Sequence, residues 1–257
     1  DWELLMLEVE ALGQSAKSGQ GISRELARGG VGATLRELRL GQPVLWGRAV
    51  AALARGAYRR GGAEASAAAV RGADRLDLEQ ASGAPALRIL VDNLAELGEA
   101  EEGLALAARA ARNDPEAPEL LEILAEALWL AGQPGEAQAR FDALLAADPE
   151  NRQALLGRAR VQLALGEVDA ARAALERAQQ VEPEDSTDLR EEASLLVALG
   201  RPEEAQARLQ AALALEPYDG AAALALARLR AEAGAPEAEV TALKRRAARF
   251  GTEAGSG

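Results

Sequence analysis

From residue 84 onward, apolar and small residues recur in short helical stripes separated by glycine and proline. Within residues 118–151, Leu121, Leu124, Ala125 and Leu128 share one face at helical spacing, and Gly132 stands where a left-handed residue would close the helix. A second stripe of Ala137, Phe141 and Leu144 runs on from Pro134. Asp148-Pro149 stops it, because proline has no N–H to donate and disfavours helix in the residue before it. The stretch predicts two short amphipathic helices joined by a tight turn. Such a hairpin cannot cover both its apolar sides alone, so it must stack on neighbours.

Those neighbours follow at a fixed step of 34 residues. Gly98, Gly132, Gly166, Gly200 and Gly234 keep the register, as do Pro115, Pro149, Pro183 and Pro217. Small residues keep it too, with Ala125, Ala159, Ala193 and Ala227 in the first helix and Ala137, Ala171 and Ala205 in the second. Larger ones fill two further columns, Leu87, Leu121, Leu155 and Leu189, then Phe141, Leu175, Leu209 and Leu243. Period, glycine, alanine and proline together resemble the tetratricopeptide repeat (TPR) family over about residues 84–250. The resemblance implies an all-α fold, a right-handed α-solenoid of stacked antiparallel helix hairpins. Five units are expected, at 84–117, 118–151, 152–185, 186–219 and 220–253, the last with a charged, capping second helix, followed by a tail at 254–257. Three positions depart from the pattern. Arg158 and Glu192 stand where the family has apolar residues, and Gly103 replaces the second-helix alanine, so looser packing is expected there.

The chain before residue 84 is less regular. Residues 2–12 read as a helix with Trp2, Leu5, Met6 and Val9 on one side and Gly13 as its stop. The run Gly29-Gly30-Val31-Gly32-Ala33-Thr34 lacks both the lysine and the preceding strand of a phosphate loop, so a turn is expected. A short helix is expected at 34–40. A longer one at 43–60 ends at Gly61-Gly62, and a partner at 63–80 completes a degenerate repeat-like hairpin. The division is therefore 1–42 irregular, 43–83 a degenerate hairpin, and 84–253 the five repeats.

Composition narrows the chemistry. With no histidine and no cysteine, the chain cannot build a Ser-His-Asp or Cys-His device, a histidine base, or the usual zinc sites. No dinucleotide fingerprint or calcium loop is present either, so neither a cofactor nor a catalytic activity is expected. No apolar run approaches the ~18 residues of a membrane span, so membrane insertion is not expected. The net charge of −12 is uneven: residues 1–80 hold 10 acids and 11 bases, residues 81–217 hold 26 and 12, and residues 218–257 hold 5 and 6. The acidic repeats would repel a phosphate backbone, so nucleic acid is not an expected partner. Because the sequence begins at Asp1 rather than methionine, a removed signal peptide, and with it an extracytoplasmic location, stands beside a cytoplasmic one.

The family resemblance implies a concave face lined by the first helix of each unit, and with it a protein or peptide partner. On residues 118–151 that face carries Glu119, Glu122, Glu126 and Trp129. The preceding unit contributes Arg88, Asp92 and Glu96; the later ones contribute Gln153 and Arg160, Arg190 and Ser194, and Arg228. A noncatalytic scaffold or adaptor that holds a partner segment in this groove is the first expectation. Against it stands the expectation that these charges only pair with one another across adjacent units. Two other roles compete: a self-assembling module whose N-terminal helices expose Trp2 or Trp46, and the sensor arm of a larger regulator.

Overall fold

The computed structural model describes residues 43–71, 78–183 and 185–250. The helix expected at 2–12, the glycine-rich turn, the helix at 34–40 and the tail lie outside the described residues. Every regular element among the described residues is helical: α1 (Pro43–Arg71), a 3-10 turn (Ala81–Gly83), α2 (Ala84–Glu96), α3 (Ala100–Asn113), α4 (Pro118–Leu130), α5 (Pro134–Ala147), α6 (Arg152–Ala164), α7 (Val168–Ala178), α8 (Ser186–Ala198), α9 (Pro202–Leu215), α10 (Gly220–Glu232) and α11 (Glu237–Phe250). Two compact units result, residues 1–140 and 141–257, with the boundary inside α5.

The repeating glycines form one turn five times. Gly98, Gly132, Gly166, Gly200 and Gly234 all sit at φ between 73° and 79°, where a side chain would be strained. At the first, Gly98 N–H donates to Ala95 O at 3.0 Å and Glu99 N–H to Leu94 O at 2.7 Å. That pair of bonds satisfies carbonyls a helix end would otherwise leave open, and it recurs at Gln133→Leu128, Glu167→Gln162, Arg201→Leu196 and Ala235→Arg230. Helix starts are capped in register as well. Asn151 accepts from Ala154 N–H, Asp185 from Thr187 and Asp188 N–H, and Asp219 from Ala222 N–H.

In the first unit, α1 packs on α2, α2 on α3 and α4, and α3 on α4. α1 spans Pro43–Arg71, but Gly62 sits inside it at φ 65°, a left-handed value that interrupts right-handed helical backbone. Its neighbours show what happens there. Gly47 lies against Ser82, Tyr58 bonds Glu96, and Ser66 bonds Asn93, so the chain advances along α2 and then returns. The fold-back encloses Trp46, Val50, Ala54, Ala67 and Val70 with Leu90 and Leu94 in one core. Trp46 is only 3% exposed, which removes it as the surface patch of the self-assembly expectation. An aromatic among alanines on a helix that doubles back is where the two arms need bulk.

The face of α4 is also wider than one stripe. Leu120, Ile123 and Ala127 are buried alongside Leu124, Ala125 and Leu128, whereas Leu121 is only half-buried, because α4 packs on both α2 and α3. At Gly103 in α3 an added methyl would meet Val91 Cα at 3.6 Å, an ordinary contact, while the matching Ala137, Ala171 and Ala205 are fully buried. Gly103→Ala should therefore stabilise the chain by about 0.5–1 kcal/mol, read as a higher urea midpoint at unchanged slope.

In the second unit α6 packs on α7 and α8, α8 on α9, α9 on α10, and α10 on α11. The alanine columns fit: Ala159, Ala171, Ala193, Ala205 and Ala227 are at most 2% exposed. Phe141 fills its column against Gly157, where an added Cβ would fall 2.3 Å from the ring. The large residue and the missing side chain are one packing solution. Leu243 is only half-buried.

Candidate functional site

The first-helix face of the first unit is built by α2 and α4, which lie side by side one repeat apart. Arg88 Nη2 donates to Glu122 Oε2 at 3.1 Å, a pair separated by one 34-residue period. Glu96 accepts from Tyr58 OH at 2.8 and 3.0 Å. Burial, reinforced by this carboxylate, pushes the Tyr58 hydroxyl up to about 12. Asp92, Glu96 and Glu119 are exposed, and Glu122, Glu126 and Trp129 are half-buried. The candidates on these two helices thus comprise five carboxylates, one guanidinium and one indole, with the Arg88–Glu122 pair joining the helices.

The candidates in the second unit are drawn into pairs. Gln153 bonds Asp188, Arg160 bonds Glu191, and Arg190 Nε lies 2.9 Å from Asp219 Oδ2, with Nη2 donating to Thr187 Oγ1 at 3.1 Å. Ser194 and Arg228 are exposed. Gln153 and Arg160 therefore hold one repeat to the next, and Arg190 reaches the residue that caps α10.

Behind them lies a cluster that sequence reasoning missed. Arg152 is 5% exposed at its side chain, and its guanidinium donates to Ala178 O, to Val181 O at 2.5 Å and to Glu192 Oε1. Its Nε lies 3.2 Å from Asp188 Oδ2, close enough for an ion pair but without the alignment of a hydrogen bond. Glu192 takes a second cation, with Arg208 Nε 3.0 Å from its other oxygen. Asp188 and Glu192 are each 1% exposed. Burial lowers the Arg152 pKa from its ordinary value and Arg208 adds to that, while Asp188 pulls the other way. Glu192 was visible as a departure from the apolar pattern. Arg152, a full repeat and more away, had no such signal. The other charged departure, Arg158, is half-buried, with Nη1 3.3 Å from Asp142.

Among the described residues no cluster of carboxylates has the geometry to hold a metal ion, and no helix is long and apolar enough to cross a membrane. What the geometry supplies is a charged surface on regular helices.

Two models, each described as tetratricopeptide repeat, match the chain, one over residues 128–190 and the other over residues 90–137 and 190–254. Among solved structures, a thermophilic TPR protein of Thermus thermophilus is 22% identical, with 71% of this chain and 98% of that one covered and a TM-score of 0.53. A tetratricopeptide repeat protein from Parabacteroides merdae is 16% identical, with 98% and 94% covered and a TM-score of 0.55. These likenesses are of fold. A search of curated sequences returned no significant match.

Proposed function

Because the chain belongs to the tetratricopeptide repeat family, whose members are commonly noncatalytic protein-binding scaffolds, we propose that it is an adaptor whose α2–α4 face receives a basic segment of another protein. The observation that carries this is the charge of that face. Asp92, Glu96, Glu119, Glu122 and Glu126 outnumber Arg88 among the candidates on α2 and α4, and Arg88 is already engaged by Glu122. A lysine- or arginine-rich segment would be steered there, and Trp129 would add apolar contact. A face of this sign selects against acidic segments.

The test uses fluorescein-labelled peptides of opposite charge, followed by anisotropy at low and physiological salt. The basic peptide should bind and the acidic one should not. Glu119→Lys with Glu126→Lys should weaken binding by about tenfold or more. Glu122 is left alone, because changing it would strand Arg88. A control pair, Glu203→Lys with Glu216→Lys, reverses exposed charges in the second unit and should leave the affinity within about twofold. Equal weakening by both pairs would reduce the effect to net charge and sink the reading.

A further inference from the structure

The last helix of the second unit carries the opposite charge. In α9 the repeat buries Ala205 and Ala212, whereas one period later α11 has Glu239 and Arg246. Those substitutions keep α11 from packing as another interior helix, and only Val240 and Ala247 of its described side chains are buried. Its final turns hold Lys244, Arg245, Arg246 and Arg249 without a carboxylate. Arg246 is turned inward, donating from Nε and Nη2 to Pro217 O at 3.1 and 2.7 Å. Lys244, Arg245 and Arg249 are exposed.

We propose that the basic face of α11 docks on the acidic α2–α4 face of a second copy of this chain. The inference rests on the acidic-face reading above and names one occupant for it. Sign is the first argument, and spacing is the second. Arg245 and Arg249 stand four residues apart on α11, as do Asp92 and Glu96 on α2 and Glu122 and Glu126 on α4. Each step rises about 6 Å along its helix, so cations on one helix and carboxylates on the other meet in register. Exposed Ala238, Ala242 and Ala248 let a facing helix come close. The two faces differ, so the contact is head-to-tail: each copy bound leaves one face of each kind open, and growth continues beyond a dimer unless the ring closes.

The full chain and two variants decide it, by light scattering and sedimentation between about 1 and 100 µM at low salt. The first variant is Glu119→Lys with Glu126→Lys. The second is Lys244→Glu with Arg245→Glu. The native chain should grow in mass with concentration and fall back in high salt, and each variant alone should be monomeric, its self-association weakened about tenfold or more. Mixed, the variants retain one native face each and carry complementary reversed ones, so the mixture should regain the mass that neither variant reaches alone. Native chain that stays monomeric to 100 µM overturns the proposal, as does a mixture that stays monomeric. The basic peptide separates the two readings. Peptide binding without self-association removes the second copy and keeps the adaptor, whereas loss of both removes the acidic face itself.

Discussion

Arg152→Met should cost about 3–5 kcal/mol of stability, the largest effect of any single change considered. Methionine matches the length of the stem and removes the guanidinium that Asp188, Glu192 and two main-chain carbonyls share. Both carboxylates are 1% exposed. Arg208 still reaches Glu192 and Gln153 still reaches Asp188, which sets the expectation within that range rather than above it. Glu192→Ala should cost less, because Arg152 keeps Asp188 and both carbonyls. Urea unfolding followed by circular dichroism would give the order. A loss under about 1 kcal/mol for Arg152→Met would mean that the cluster is solvated or rearranges freely. The comparison matters because a buried ion cluster need not stabilise relative to an apolar one, while breaking it from one side strands the rest.

Gly47→Ala should be the second most damaging substitution. Its Cβ would fall 1.9 Å from Ser82 O and 3.0 Å from Ser82 C, backbone atoms of the 3-10 turn that no rotamer change can move. Either α1 or the turn must shift, and the enclosed core with it, at about 1–3 kcal/mol for a single methyl. Gly135→Ala is the matched control, since nothing lies within 4 Å of its added methyl. A thermal melt should show the first variant several degrees below native and the second unchanged or slightly above. Equal melting of the two would show that the first unit gives way at no cost.

Much of the architecture was legible along the chain because its causes are local. A glycine at φ near 75° closes each first helix, and a proline or an aspartate marks each boundary, so a 34-residue register of Gly98 to Gly234 announces the hairpins before any packing is known. The alanine columns were equally readable, since helices that approach closely admit only small side chains. The candidate site was less so. Helical period puts Glu119 and Glu126 on one side of their own helix, yet the same period could not say that Arg160 and Arg190 would be occupied by Glu191 and Asp219.

By itself, the sequence determined the helical hairpins, their period, the absence of histidine and cysteine chemistry, and the acidity of the repeats. Only the tertiary structure decided that Trp46 is enclosed, that Gly47 is filled by a neighbouring carbonyl, and that Arg152 is shared by two carboxylates. Periodicity reports which way a residue faces on its own helix. What meets it there depends on a helix about 30 to 40 residues away, and only the packed structure brings those surfaces together.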